Sequence, residues 1–238
     1  EHLCNAPAAL GVHRDGGFAT KVLVPDAKYL LDYGSLPEAQ ACTYACSGLT
    51  AYSALKKLTP FPAGGKLLII GAGGVGLSGI RFAKSLGLPA PIVAEVDKAK
   101  WDIAKAAGAS EVIDPTADGA LRALMKSTGG GVLGAVDFVG AGSSFAFGFN
   151  ALGKAGKLVS VGLFGGSTSI APAMISMKAV SLIGSYVGSL EEMREVMQIA
   201  RSGALPELPV ATRPMNQLNE ALDDLKQGRV RGRVVMLP

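Results

Sequence analysis

Two sets of residues in this 238-residue sequence have types and spacings suited to binding a nucleotide. The first is Gly71, Gly73 and Gly76, spaced G-x-G-x-x-G, directly after Leu67-Leu68-Ile69-Ile70. A helical pattern follows over 75–86 and Gly87 closes it. In such a strand–turn–helix, Gly71 lets the chain reverse, Gly73 lets the backbone approach a pyrophosphate, and Gly76 lets helix and strand pack closely. With Gly74 and Val75 the turn becomes a helix N-terminus, whose unpaired N–H groups and dipole favour an anion. The second set centres on Glu95, 19 residues beyond Gly76 at the end of the apolar run Pro91-Ile92-Val93-Ala94. A carboxylate there accepts both hydroxyls of an adenosine ribose and repels a 2′-phosphate, for which neighbouring Val96 offers no cation. Together the motifs predict a site for NAD in preference to NADP. Asp97 is a rival acid that falls past the strand, and Lys100 is within reach of the same ribose.

The cysteines, Cys4, Cys42 and Cys46, are too few and too oddly numbered for a disulfide framework. A zinc site takes three or four ligands from Cys, His, Asp and Glu, and the only histidines are His2 and His13. Spacing alone puts Cys42 and Cys46 on one face of a predicted helix, as small buried hydrophobes. Neither histidine is arranged with a serine and an acid for nucleophilic catalysis.

These residues need elements to hold them. Strands are predicted over 66–70, 91–95, 111–113, 132–139, 157–162 and 179–184. Helices over 75–86, 98–107, 119–126 and 144–152 lie between them, with a short one before the last strand. Continuous apolar strands alternating with helices imply a parallel sheet covered on both faces, and right-handed crossovers make it doubly wound α/β. Before the sheet, 18–24 alternates like a strand, and Ser35-Leu36-Pro37-Glu38 reads as a capping box opening the helix of Cys42 and Cys46. Gly48 interrupts that helix, and another runs over 50–58. After Gly188 a second capping box, Ser189 to Glu192, opens a helix to about residue 200. A strand over 210–213, a helix over 218–226 and a strand over 233–237 follow. The predicted organisation is a sheet domain over 48–187, inserted into a second domain made of 1–47 and 188–238.

Composition narrows the classes. Hydrophobic residues make up 49% and charged residues 18%, which describes a core-rich globular chain. The net charge is +4, but apart from Arg229, Arg231 and Arg233 the basic residues are scattered, and aromatics are only 6%; nucleic acid is not the expected partner. The uncharged run 158–177 has the length of a membrane span, yet Gly162, Gly165, Gly166 and Pro172 make it buried strand plus loop. With no charged-then-apolar leader and few cysteines, no membrane and a cytoplasmic location are expected.

Several motifs occur in one order: Asp15-Gly16-Gly17-Phe18-Ala19, Cys46-Ser47-Gly48-Leu49-Thr50-Ala51-Tyr52, the glycine turn, Ala106-Ala107-Gly108-Ala109 and Gly232-Arg233-Val234-Val235. In this combination the sequence resembles the zinc-dependent medium-chain alcohol dehydrogenases along essentially its whole length. The resemblance implies a Rossmann sheet inserted in the remainder of a GroES-like catalytic domain. It implies that Cys46 is the last protein ligand of a catalytic zinc and Cys4 the last of four structural-zinc cysteines, while Cys42 stays a core thiol. It implies that Thr50 packs on the nicotinamide, and that Val139, Val161, Gly162, Leu163, Ser185 and Tyr186 line that side through backbone groups. Arg233 would contact the pyrophosphate.

The resemblance also implies that the family's remaining catalytic-zinc ligands, three structural cysteines and proton relay lie upstream of Glu1, so that Cys46 is the only residue of the catalytic set present. The expected parent reaction is NAD-linked oxidation of an alcohol, or reduction of an aldehyde or ketone, by a homodimer or homotetramer. This chain is expected to bind NAD with an incomplete zinc site. The alternatives are a non-catalytic dinucleotide-binding or oligomerisation module, and a zinc-independent quinone reductase, against which Glu95 and Cys46 both argue.

Overall fold

In the computed structural model, which describes residues 2–238, the runs of branched apolar residues pair side by side as a parallel sheet. The chain enters it through α1 (Glu38–Ala41) and α2 (Ser47–Lys56). It then runs β1 (Leu67–Ile70), α3 (Gly74–Ala83), β2 (Ile92–Ala94), α4 (Trp101–Ala106), β3 (Glu111–Ile113), α5 (Ala120–Ser127) and β4 (Val132–Asp137). After these come α6 (Gly142–Ala151), β5 (Leu152–Ser160), α7 (Pro172–Lys178) and β6 (Ser181–Gly184). The spatial order is β3-β2-β1-β4-β5-β6. It reverses between β1 and β4, which leaves a crevice beyond the carboxyl ends of these two strands.

Strand periodicity divides the core in two. Leu67 and Ile69 point into a cluster with Leu55 of α2, Leu77 of α3 and Val196 of α8 (Leu190–Arg201). Leu68 and Ile70 point into another with Leu124 of α5 and Phe149 of α6. Successive side chains face opposite sides, so a strand buried on both sides must be apolar throughout. All four residues of β1 are at most 2% exposed.

α8 opens with the expected capping box. Glu192 N donates to Ser189 Oγ at 3.1 Å, and Ser189 N donates to Glu192 Oε2 at 2.8 Å. It is fastened to α2 by Glu195, which accepts from Tyr52 Oη at 2.8 Å and from Lys56 Nζ at 2.6 Å. β7 (Val210–Pro214), α9 (Leu218–Lys226) and β8 (Arg233–Leu237) follow, the two strands pairing in parallel as a small separate sheet.

The segment before the sheet departs from expectation. Residues 18–24 form no strand and are largely exposed, Phe18 at 63% and Leu23 at 85%. A strand needs a neighbour to satisfy its backbone, and among the described residues none runs beside this one. The capping box at Ser35 does not form either; Pro37 is the N-cap residue, with no side-chain cap. The ring of Pro37 disfavours the helical conformation at Leu36, which accords with a helix that starts only after the proline.

α1 passes into a single tight turn, Cys42–Tyr44, and Cys46 breaks the path at φ −126° and ψ −70° before α2. Cys42 and Cys46 therefore do not share a helix face, and both are exposed; neither is a core thiol. The uncharged run 158–177 divides into the end of β5, an exposed loop and most of α7. Among the described residues no helix is long and apolar enough to cross a membrane.

Candidate functional site

The site is built where β1 gives way to α3. Gly71 turns the chain with φ +92°, and its N–H donates to Ala94 O at 2.8 Å, which ties the turn to the end of β2. A β-carbon on Gly76 would collide with the Gly71 carbonyl, so only a hydrogen fits there. Gly73, the N-cap of α3, has the ordinary φ of −72° and no atom within 4 Å of where a β-carbon would stand. The outer side of the turn is thus open, and the first N–H groups of α3 face that opening.

Glu95 stands beside this turn, 6% exposed. Its Oε2 accepts from Ala72 N at 2.7 Å and its Oε1 from Asp97 N at 2.8 Å. Each oxygen has a second lone pair, so a carboxylate held in this way still has acceptor capacity for a diol. The backbone oxygen of Glu95 accepts from Trp101 Nε1 at 3.0 Å. Asp97 is occupied differently: it caps the turn Lys98–Lys100 by accepting from Ala99 N at 3.0 Å, and it pairs with Lys100 at 3.5 Å.

Arg233, at the start of β8, reaches the same turn from the far end of the sequence. Its side chain lies on Gly74 so closely that a β-carbon there would collide with it, with Nη1 2.8 Å from that position. Among the described residues its guanidinium has no hydrogen-bond or ion-pair partner, so the glycine turn carries an uncompensated cation. Partial desolvation by surrounding atoms pushes the thiol of Cys42 up although the residue is exposed, and the Arg233 charge opposes that shift.

The crevice continues over β4 and β5. Val139 packs against the turn, its Cγ2 2.7 Å from where a β-carbon on Gly71 would be. Val161 N and Gly162 N both donate to Asp137 O at 3.0 Å, and Ser185 N donates to Ser160 O at 2.9 Å. The Ser185 hydroxyl oxygen is buried without a partner. Leu163 and Tyr186 are exposed, at 84% and 51%. Thr50 lies half-buried in the first turn of α2, its N–H bonded to Cys46 O at 2.9 Å.

Gly71, Gly73, Gly74, Val75, Gly76, Glu95, Val139 and Arg233 therefore gather around one turn, and Val161, Gly162 and Ser185 directly follow β5 and β6, beyond β4 in the sheet. The cysteines are placed otherwise. Cys4 is exposed, its sulfur accepting from Ala6 N at 3.4 Å, and Cys46 is exposed at the start of α2. Among the described residues no group of three Cys, His, Asp or Glu side chains could hold a metal ion. The donors present do not fit zinc.

Sequence reasoning missed Asp137. It is completely buried, and its carboxylate accepts from Val139 N at 2.9 Å, Gly140 N at 3.0 Å and Ser144 Oγ at 2.9 Å. The signal that identified Glu95, an acid closing a buried apolar strand, was present here too.

Comparison with known proteins gives a consistent picture. Residues 74–202 match the zinc-binding dehydrogenase family. Over 240 residues the sequence is 33% identical to an NAD-dependent alcohol dehydrogenase of Sulfurisphaera tokodaii, covering 100% of this chain and 69% of that protein. The fold superposes on the alcohol dehydrogenase of Aeropyrum pernix with a TM-score of 0.82, at 30% identity over 96% of this chain and 67% of the other. It superposes with a TM-score of 0.81 on an acetophenone reductase from Geotrichum candidum in complex with NAD, at 25% identity over 99% of this chain and 67% of that one.

Proposed function

The chain belongs to the zinc-binding dehydrogenase family, and from that premise we propose that it is an NAD-dependent alcohol dehydrogenase whose described residues form the dinucleotide site. The observation that carries the reading is the meeting of three features at one turn: an open helix N-terminus at Gly73, the fixed carboxylate of Glu95 and the unpaired guanidinium of Arg233. The N–H groups of α3 and the Arg233 cation hold the pyrophosphate between them. Glu95 accepts from the adenosine ribose hydroxyls with the lone pairs its two backbone partners leave free. A 2′-phosphate would meet that buried carboxylate with like charge, which favours NAD over NADP.

Bound NAD supplies an acceptor for the hydride that leaves the carbinol carbon of an alcohol. This chain's share is to hold the nucleotide on one face of the crevice. Thr50, Val161, Gly162, Leu163, Ser185 and Tyr186 line the side away from Glu95, where the Ser185 hydroxyl is buried without a hydrogen-bond partner. Because the donors around Cys46 do not fit zinc, no step is routed through the metal, and the 238-residue chain is expected to bind NAD without sustained turnover.

Titration calorimetry with NAD and NADP, followed by an assay for alcohol-dependent NADH with added zinc, tests this. Saturable NAD binding, weaker NADP binding and no turnover are expected. Absence of NAD binding would overturn the dinucleotide reading, and robust turnover would overturn the assignment of an incomplete metal site.

A further inference from the structure

The sheet order locates the two halves of a dinucleotide. Glu95 directly follows β2, on one side of the reversal between β1 and β4, so a nucleotide whose adenosine ribose rests there must carry its other half over β4 and β5. On that side lie two loops, 138–141 after β4 and 161–166 after β5, and one residue fastens both. The Asp137 carboxylate accepts from Val139 N and Gly140 N on Oδ1 and from Ser144 Oγ on Oδ2, while its backbone oxygen accepts from Val161 N and Gly162 N.

The loops are then locked to each other. Phe164 N donates to Val139 O at 3.2 Å and Gly165 N to Gly140 O at 3.0 Å. Gly140 and Gly162 approach so closely that a β-carbon on either would collide with the backbone of the other loop. Val139 in turn presses on Gly71.

Asp137 is a buried acid with no cationic partner among the described residues. What compensates it is the set of three donors and the N-terminus of α6, whose third residue is Ser144. An apolar residue at this position would fill the core at less cost, so the carboxylate is there for what it holds.

We infer that Asp137 is the positioning residue of the nicotinamide half of the site, fixing the loop backbones at 139–140 and 161–162 against which that half rests. The inference depends on the dinucleotide reading above and goes beyond it in dividing the site into two separately supported halves. Asp137 does not touch the ligand. Its effect passes through the Val139 and Gly140 N–H groups.

The test compares NAD with ADP-ribose, which carries the adenosine and pyrophosphate groups and no nicotinamide. In the Asp137→Ala chain, NAD affinity should fall by about tenfold or more, as when hydrogen bonds to a buried charge are lost. ADP-ribose affinity should change by less than about threefold, because its contacts belong to Gly73, Glu95 and Arg233. Asp137→Asn should recover most of the NAD affinity, because an amide oxygen can accept both N–H groups and its NH2 can donate to Ser144 Oγ. Ser144→Ala, a milder change if the alanine variant at 137 does not fold, should lower NAD affinity selectively and to a smaller extent.

Equal losses for NAD and ADP-ribose would make Asp137 a purely structural residue and overturn the inference. So would unchanged NAD affinity in both Asp137→Ala and Ser144→Ala, or equal affinity of the unaltered chain for the two ligands. If the unaltered chain bound neither ligand, the dinucleotide reading itself would fall, and the inference with it.

Discussion

The glycines of the turn have different duties, and substitution separates them. Gly76 faces the carbonyl of Gly71, a backbone atom that cannot move aside, so Gly76→Ala must open the turn. It should destabilise the fold by about 1–3 kcal/mol and lower NAD affinity together. Gly73 has open space and an ordinary φ, so Gly73→Ala should leave the melting temperature nearly unchanged while placing a methyl group where the proposed site puts a pyrophosphate. Thermal melts paired with NAD titrations check both; a Gly73→Ala chain that binds NAD like the parent would mean that phosphate does not lie there. The close packing at Gly76 was readable from spacing, as was the place of Glu95 just past the strand beside the turn. The grip of Glu95 on Ala72 N was not: it joins the proposed ribose acceptor to the turn, and only the packed structure brings that amide to it. Asp137 escaped although it too closes a buried apolar strand, because its partners, two backbone N–H groups and the Ser144 hydroxyl, lie in the loop and helix that follow and match no nucleotide-binding spacing.

Element by element, the sheet was legible because both-face burial writes itself as unbroken apolar runs. The ends of the chain were less so, and two capping boxes show why. Ser189 to Glu192 forms as spaced, whereas Ser35 to Glu38 carries Pro37 within it, which disfavours helix at Leu36. The clamp between α2 and α8 was invisible in sequence, since Glu195 meets Tyr52 and Lys56 only when the two helices pack against each other. It makes stability depend on pH. The Lys56 hydrogen bond, helped by that of Tyr52, lowers the Glu195 carboxyl below its ordinary value. A lowered carboxyl contributes stability above the unfolded-state value of about 4.3, and loses it as pH falls through the folded-state value. Glu195→Gln should therefore melt lower than the parent at pH 7, by about 0.5–1 kcal/mol for this partly exposed pair, and the gap should close in acid. Calorimetric melts of both chains from neutral pH down to about 3 measure it. A gap that persisted in acid would assign the effect to lost packing.

On the scale of the whole molecule, segments far apart in sequence are brought onto the sheet domain together. Gln40 Nε2 donates to Leu208 O at 3.0 Å, Arg81 of α3 donates to Pro206 O, and Arg233 lies over Gly74. The order of motifs identified the family, but spacing could not give the contact between Arg233 and Gly74, because the residues between them fold into most of the protein. The exposed stretch over 18–24 was misread because alternation states which face is apolar and says nothing about a neighbouring strand. The chain also has a single tryptophan, Trp101, and its indole N–H is bonded to the backbone of Glu95. The protein thus contains one indole fluorophore, anchored to the residue proposed to receive the adenosine ribose. Its emission overlaps the absorption of a reduced nicotinamide, so adding NADH should quench tryptophan light and raise nicotinamide light in proportion. Trp101→Phe should abolish that transfer while calorimetry still registers binding. Occupancy of this site can then be read optically in the unlabelled protein.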